Sequence, residues 1–369
     1  MNSTYTTVRQ LAQYLESFAP PALQESYDNT GLQTGSPNDV VKGVLVTLDV
    51  TEQVLEEAIL KGANVIVAHH PVIFSGLKRL TGGNATERIL LSAVRNHLAI
   101  YVAHTNIDAV EGGVNSMIAN KLGLLGHQML KPAKGVLRKL VTFVPESHLE
   151  PVRMALFSSG AGHIGAYDQC SFTISGTGTF RGGDNTKPFV GSIGKLHSEP
   201  EIRLETIFPA WLEAKVTDAL IQAHPYEEVA YDIYPLENIY TKAGIGVVGN
   251  LPEPLAETEF LALLKNTFKV PVIRHSPLTG KIVKRVALCG GAGSFLTSEA
   301  IAAGVEFFVT GDVKYHQFME AEGRTVLADI GHYESEQFTK ELFSDILLKK
   351  FSTFAVYLSE TITNPVNYF

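Results

Sequence analysis

The stretch Asp329-Ile330-Gly331-His332-Tyr333-Glu334-Ser335-Glu336 gives the strongest prediction about how this chain folds. It follows the apolar run 325–328, which is typical of a buried strand, and the residues from Tyr333 onward have the composition of a helix. His332 and Glu336 are four residues apart, so a helix places both side chains on one face. The two side chains are therefore candidate ligands of one metal site.

Three other short apolar runs are also followed by polar residues that bind metals. The four runs with the residues after them are 65–68 with His69 and His70, 101–103 with His104 and Asp108, 307–310 with Asp312 and His316, and 325–328 with Asp329 and His332. In parallel α/β sheets the loops at the carboxyl ends of the strands line the ligand crevice. The sequence therefore predicts a site assembled from these four loops.

The candidate ligands are imidazoles and carboxylates, with no thiolate. This set suits zinc, iron, manganese or a similar divalent ion, whereas calcium and magnesium sites use mainly oxygen ligands. One tetrahedral structural site needs four ligands, while this chain offers five: His69, His70, Asp108, His332 and Glu336. Two ions fit that number better, and a pair about 3.5 to 4 Å apart would share a carboxylate from Asp108 or Glu336.

The bulk composition describes a globular protein without a membrane span. Of the 369 residues, 45% are hydrophobic and 18% are charged, and no stretch approaches the roughly 18 consecutive apolar residues that a span requires. Residues 1–10 lack the pattern of a signal peptide, and the only cysteines are Cys170 and Cys289, so we expect a cytoplasmic protein. The formal net charge of −8 opposes binding to nucleic-acid phosphates.

Hydrophobic periodicity predicts two domains, one of them discontinuous. Residues 1–126 and 237–369 alternate strand and helix patterns, which favours an α/β domain with one parallel sheet or two packed sheets. Residues 127–236 read as strand, helix, two strands, helix and strand, which is the order of an inserted ferredoxin-like α+β domain. In that domain we expect a glycine-rich excursion over residues 176–183, between the central strands, and strand structure over residues 191–196.

Two polar or glycine-rich segments each allow two interpretations. Gly290-Gly291-Ala292-Gly293-Ser294 follows a predicted strand, so its amides either cradle a phosphate or form a tight turn. Asp28-Asn29-Thr30-Gly31 either shapes the rim of the site or forms a turn stabilised by its own side chains.

Five motifs give the chain a resemblance to a known family. They are Asp28-Asn29-Thr30-Gly31-Leu32-Gln33 with Gly35, Ala68-His69-His70-Pro71, His104-Thr105-Asn106-Ile107-Asp108, Gly311-Asp312-Val313-Lys314-Tyr315-His316, and the stretch from Asp329 to Glu336. With them the chain resembles the Nif-three-like dinuclear-metal proteins, also known as GTP cyclohydrolase 1 type 2 homologues. The resemblance implies two divalent ions held by His69, His70, Asp108, His332 and Glu336 in each subunit of a toroidal homohexamer.

The inserted segment is similar to the domain found in longer members of that family, which resembles proteins of the PII and CutA type. The stretches that carry this similarity are Gly160-Ala161-Gly162-His163-Ile164-Gly165 and His224-Pro225-Tyr226-Glu227-Glu228.

The function that the resemblance implies is hydrolysis by metal-activated water of a small molecule such as the nucleotide GTP, whose guanine ring would lose formate. His104 and His316 are candidate proton shuttles if their nitrogens reach the reacting water. Two alternatives stay open: a metal-dependent phosphoesterase, and a nonenzymatic metal-binding or regulatory hexamer.

Overall fold

The chain divides into two units, which we call unit 1 (Met1–Pro132 and Lys242–Phe369) and unit 2 (Ala133–Thr241). The structure is a computed structural model that describes residues 5–369. Residues 1–4 lie outside the described residues. They belong to the predicted discontinuous α/β domain and to the N-terminal stretch that lacks a signal-peptide pattern.

Eleven α-helices occur among the described residues: α1 Val8–Phe18, α2 Glu52–Leu60, α3 Ala85–Arg95, α4 Thr105–Asp108, α5 Val114–Lys121, α6 Leu149–Ser158, α7 Glu213–Ala223, α8 Glu257–Phe268, α9 Thr297–Ala302, α10 His332–Glu336 and α11 Thr339–Lys350. The strands are β1 Gly31–Thr34, β2 Gly43–Thr47, β3 Val65–Ala68, β4 Ala99–Val102, β5 Leu125–Ala133, β6 Leu137–Pro145, β7 Phe172–Arg181, β8 Leu196–Pro209, β9 Tyr231–Leu236, β10 Tyr240–Ala256, β11 Arg274–His275, β12 Ile282–Leu288, β13 Phe307–Thr310, β14 Val326–Asp329 and β15 Ala355–Leu358.

Unit 1 contains two mixed sheets. The first has the strand order β1-β4-β3-β2-β15, and the second has the order β11-β14-β13-β12-β10-β5. The strands β4, β3, β2 and β15 run parallel, as do β14, β13 and β12. Three strands pair antiparallel: β1 with β4, β10 with β12 and β11 with β14. The predicted α/β class is confirmed, but the prediction of parallel sheets holds only for the central strands.

Helices cover the sheets of unit 1 in layers. One apolar core joins residues of both sheets to α1, α5, α8 and α11, so these helices lie between the sheets. Side chains on the other face of the first sheet pack with α2 and α3, and those on the other face of the second sheet pack with α9. Every residue of β2, β3, β4, β13 and β14 is buried, as expected for parallel strands covered on both faces.

Unit 2 contains a four-stranded antiparallel sheet of order β7-β8-β6-β9. Its elements follow the chain as β6, α6, β7, β8, α7 and β9, which is the predicted succession of strands and helices. Two details of the prediction are wrong. The glycines at 176 and 178 lie inside β7, which pairs with β8 through Arg181, and residues 191–195 precede β8 as turns.

The helix predicted from Tyr333 onward is two helices. α10 ends at Glu336, and α11 begins at Thr339. The side-chain amide of Gln337 explains the interruption, because it donates to the Glu334 carbonyl and to the carbonyl of Phe268 in α8. Among the described residues, no helix is long and apolar enough to cross a membrane.

Glu57 in α2 forms hydrogen bonds with the segment that follows β15 of the first sheet. Its carboxylate accepts hydrogen bonds from the Ser359 hydroxyl, the Glu360 amide, and the Thr361 amide and hydroxyl, at 2.7 to 3.2 Å. Burial opposes ionisation of Glu57, but these hydrogen bonds outweigh it and lower its pKa to about 2.

We predict that Glu57→Gln reduces the free energy of unfolding at pH 7 by about 1–2 kcal/mol, because an amide cannot accept all of these bonds. The pKa of Glu57 is lower in the folded chain, so its contribution is fully present above the ordinary pKa of 4.5 and disappears as the pH falls toward 2. Thermal unfolding of both proteins between pH 7 and pH 3 measures the difference. Glu52→Gln, on the exposed side of the same helix, is the control, and a Glu57→Gln difference that stays constant with pH contradicts the prediction.

Candidate metal centre

Five predicted ligands meet at the carboxyl ends of the two unit 1 sheets. His69 and His70 follow β3, and Asp108 ends the short helix α4 after β4, so these three come from the first sheet. His332 and Glu336 are the first and last residues of α10, which follows β14 of the second sheet. Their side chains form groups whose ligand atoms lie within 4.8 Å of one another and could hold a metal ion.

Glu336 lies at the middle of this cluster, with one carboxylate oxygen turned to each side. Its Oε1 is 3.6 Å from His69 Nε2, which in turn is 3.7 Å from Asp108 Oδ1. Its Oε2 is 3.1 Å from both His70 Nε2 and His332 Nε2. Two ligand groups therefore share Glu336: His69 with Asp108, and His70 with His332.

Each histidine of the cluster is held through its Nδ1 atom. His70 Nδ1 donates to Asp49 and His332 Nδ1 donates to Asp312, both at 2.7 Å. His69 Nδ1 donates to the Ala103 carbonyl at 3.1 Å. Carboxylates and carbonyls accept here, so each Nδ1 carries the proton in the neutral ring and leaves a lone pair on Nε2.

His104 has the same arrangement. Its Nδ1 donates to Asp28 Oδ1 at 2.7 Å, and the other oxygen of Asp28 accepts from the Thr105 amide and hydroxyl. Burial opposes ionisation of Asp28, but the bonds from His104 and Thr105 hold its pKa well below the usual range. A ligand nitrogen of His104 lies within 4.8 Å of those of His69 and His70.

Three buried atoms in the cluster have no hydrogen-bond partner: His69 Nε2, Asp108 Oδ1 and Glu336 Oε2. Buried polar atoms nearly always have a partner, so three orphans converging on one point need an explanation. All three are lone-pair atoms, and His332 Nε2 also lies only 3.3 Å from His70 Nε2. Lone pairs at these distances repel unless a cation lies among them, so the residues fit a divalent metal.

The pKa values of two histidines in the cluster also show that positive charge is favoured there. Burial lowers the pKa of His70, but the bond to Asp49 and the nearby Glu336 carboxylate outweigh it and raise the pKa to about 10. For His332, Glu336 and Asp312 outweigh burial and raise the pKa to about 9. A proton on each ring supplies the charge that a metal ion would supply.

The pKa values of the two buried carboxylates, Asp108 and Glu336, shift in opposite directions. Burial and the nearby Glu336 charge raise the pKa of Asp108 to about 8. Burial opposes ionisation of Glu336 as well, but His69, His332 and His70 lower its pKa well below the usual value. Glu336 therefore carries the permanent charge of the site.

The cluster opens into a cavity of about 1420 Å³ within unit 1. Aromatic side chains form part of its wall: Tyr27, Phe74, Phe295, Tyr333 and Tyr368. Two cations, Lys131 and Arg274, also line it, and each is paired with a carboxylate. The cavity can accept an organic molecule beside the metal ligands.

The glycine loop after β12 packs against the cluster. A side chain at Gly291 would begin 2.4 Å from Glu336 Oε1, so only glycine leaves room for that carboxylate. The amides of Gly290, Gly291 and Gly293 donate to side chains of Asn115, Ser335 and Thr310. With its amides engaged inside the protein, the loop is better explained as a tight turn than as a phosphate cradle.

Two predicted candidates lie outside the cluster. His316 is exposed in a 3-10 turn, meets Tyr315 edge to face and does not line the cavity, so the structure gives the predicted proton shuttle at this position no support. Asp312 lines the cavity but contacts His332 Nδ1 rather than the shared ligand groups. The segment Asp28–Gly31 does shape the site, because Asp28 orients His104.

Two contributions were not predicted. Asp49 follows β2 as His69 follows β3, so the same rule could have found it. Thr363 donates to Asp49 Oδ2 at 2.7 Å, and Asn364 donates to Glu334, so the C-terminal segment forms one side of the cavity. Its sequence carries no pattern that predicts this position.

Residues 6–365 match the model of the family described as Duf34/NIF3 (NGG1p interacting factor 3). The chain belongs to this family, and the predicted membership is confirmed.

Relatives in the Duf34/NIF3 family extend over the whole chain. A Bacillus subtilis (strain 168) protein named "GTP cyclohydrolase 1 type 2 homolog" is 40% identical over 367 residues, 98% of each chain. The crystal structure of a Bacillus cereus protein related to NIF3 superposes with a TM-score of 0.86 at 38% identity, covering 99% of this chain and 100% of the other. Staphylococcus aureus protein SA1388 has a TM-score of 0.77 at 28% identity, with 99% of both chains covered.

We predict that Gly291→Ala weakens metal binding by about 10- to 100-fold, because its methyl group displaces the Glu336 carboxylate. The φ of +60° adds backbone strain of about 1–3 kcal/mol. Metal titration and thermal unfolding measure the two effects separately. Gly304→Ala is the matched control, since Gly304 has a φ of +69° and open space around it. The prediction is wrong if both variants bind metal like the unmodified protein.

Proposed function

We propose that this Duf34/NIF3 protein is a metal-dependent hydrolase with two divalent ions per subunit. The observation that carries the proposal is the position of the Glu336 carboxylate between two ligand groups. Its Oε1 faces His69 and Asp108, and its Oε2 faces His70 and His332. A carboxylate shared in this way suits a pair of ions. Zinc, iron and manganese all fit such ligands.

Bound ions would supply Lewis acidity, which polarises a substrate and lowers the pKa of water. The chain supplies the rest. Asp49 and Asp312 fix the rings of His70 and His332 in the tautomer that presents Nε2 to the cluster. Asp108 and Glu336 supply the negative charge that balances divalent ions.

We assign proton transfer to His104. Its ring lies 5.2 Å from that of His69 and 6.1 Å from that of Phe74, so it sits between the cluster and the cavity wall. The bond to Asp28 holds its Nδ1 proton and leaves Nε2 free to take a proton and return it. His104 is also placed to serve as a further metal ligand. Substitution of His104 separates the two roles, because loss of activity with full metal content supports proton transfer.

For the substrate we propose a nucleotide such as GTP. The support is the name of relatives from Bacillus subtilis and Halalkalibacterium halodurans, both called "GTP cyclohydrolase 1 type 2 homolog", together with the aromatic wall of the cavity. In that reaction a first water adds to the ring carbon between two guanine nitrogens and breaks one carbon–nitrogen bond, which leaves a formamide. A second water breaks the other carbon–nitrogen bond, so the carbon leaves as formate and both nitrogens gain protons.

We further propose that residues 127–236 form an inserted ferredoxin-like domain of the PII/CutA-like type within a discontinuous domain of residues 1–126 and 237–369. The strand order β7-β8-β6-β9 with α6 and α7 supports the ferredoxin-like part of this proposal. A toroidal homohexamer is what the family resemblance implies for the assembly, and we propose a cytoplasmic location from the N-terminal sequence and the low cysteine count.

The test measures metal content and formate release from GTP by the metal-reconstituted full chain. We predict two ions per subunit. We also predict that Glu336→Gln lowers metal retention and lowers formate release by about 100-fold or more, a larger loss than substitution of a residue that only orients a metal ligand causes. His127→Gln is the control, because His127 bonds to Asn120 and does not line the cavity.

The other outcomes distinguish the alternatives. Phosphate release without formate identifies a phosphoesterase. Two bound ions with no turnover of GTP, other nucleotides or phosphoesters indicate a metal-binding or regulatory protein. Less than one ion per subunit in both native and reconstituted protein eliminates the dinuclear site.

A further inference from the structure

A second cavity, of about 610 Å³, lies within unit 2. One face of the unit 2 sheet is covered by α6 and α7, which pack on Leu204 and Phe208 of β8. Side chains alternate between the faces of a strand, so Glu201 and Arg203, which line the cavity, point away from these helices. The cavity therefore lies on the uncovered face and is separate from the helix-covered core of this unit.

Three aromatic rings form one continuous wall of the cavity. Tyr226 lies 6.3 Å from Phe180 and 6.1 Å from Phe189, measured between ring centroids. Phe180 belongs to β7, while Phe189 belongs to the connection between β7 and β8, where its ring is half exposed. Solvent-accessible aromatic faces attract cations through the negative charge of their π systems.

Glu201 places a buried carboxylate beside this wall. The residue is only 9% exposed, and the Tyr226 hydroxyl donates to its Oε1 at 2.8 Å. Burial and Glu201 raise the pKa of Tyr226, so the hydroxyl remains a donor. The other oxygen, Oε2, occupies the space that a side chain at Gly178 would fill, since a Cβ there would lie 2.1 Å away.

This carboxylate has no cationic partner among the described residues. Arg203 lines the same cavity, but its guanidinium pairs with Glu205 at 2.9 Å. The lining contains three carboxylates (Glu201, Glu227 and Glu228) against one guanidinium, which is a formal charge of −2. A buried charge without a partner is costly, so an occupant that supplies positive charge is favoured.

We propose that the unit 2 cavity binds an organic ammonium ion. Its charged head contacts Glu201, and its carbon groups pack on Phe180, Phe189 and Tyr226. A neutral ligand leaves Glu201 unpaired, and an anion meets the negative lining. A metal ion needs several converging ligands. In the described part of unit 2, no three His, Cys, Asp or Glu ligand atoms lie within 4.8 Å of one another.

Calorimetric titration of the full chain with two pairs of probes tests this proposal. The pairs are choline with its neutral isostere 3,3-dimethylbutan-1-ol, and n-butylammonium with butan-1-ol. We expect at least one ammonium ion to bind and its neutral partner not to bind. Glu201→Gln should weaken ammonium binding by about tenfold or more, and Phe189→Leu by about threefold.

Glu213→Gln is the control, since Glu213 begins α7 on the covered face of the sheet and does not line the cavity. Phe189 is half exposed, so its variant should fold even if the Glu201 variant does not. Failure of both ammonium ions to bind overturns the proposal. So does equal binding of a neutral isostere, or an affinity that neither the Glu201 nor the Phe189 variant changes.

Discussion

Glu336 is 3% exposed, and its carboxylate lies between imidazoles on both sides. Removing such a charge from water costs several kcal/mol unless opposite charge surrounds it. Among residues 5–369, no Lys or Arg pairs with this carboxylate. Imidazoles surround the carboxylate instead, and an imidazole is neutral unless both of its nitrogens hold a proton. The buried charge is therefore balanced only when extra protons or metal ions are present. The neighbouring structure follows from this requirement, including the absence of a side chain at Gly291.

The two sheets of unit 1 determine where this charge lies. Each sheet delivers only part of the cluster, His69 and His70 from one and His332 and Glu336 from the other. The helices between the sheets hold their carboxyl ends at a fixed separation through a continuous apolar core. The two pairs are about 260 residues apart in the chain, so binding of a metal ion between them would be thermodynamically linked to folding of unit 1.

The sequence allowed much of this site to be predicted, for a physical reason. Ligands after strands are recognisable because buried parallel strands are short, apolar and followed directly by their functional loops, as at Val65–Ala68. The partners were harder to find. Asp49 follows the same rule but carries one carboxylate with no neighbouring histidine in sequence, and its role depends on the register of β2 beside β3.

Secondary-structure predictions failed where side chains or pairing outweighed local preference. The interruption after Glu336 depends on the Gln337 amide reaching α8, a contact between segments about 70 residues apart. The glycines of β7 disfavour a strand locally, yet ten residue pairs with β8 hold them in the sheet. His316 was predicted from spacing after a strand, but its 3-10 turn points it to solvent.

The partners of the four histidines also suggest how their tasks divide. His69 is fully buried and bonds to a backbone carbonyl, which fixes its ring without adding charge. His70, His104 and His332 each bond to a carboxylate, which fixes the orientation of the ring. Of these three, only His104 lies outside the two groups that share Glu336, and it contacts Phe74 on the cavity wall. This position, beside the charge cluster and next to the cavity, is what favours His104 for the proton transfer that we propose, while the other three histidines lie in the groups that share Glu336.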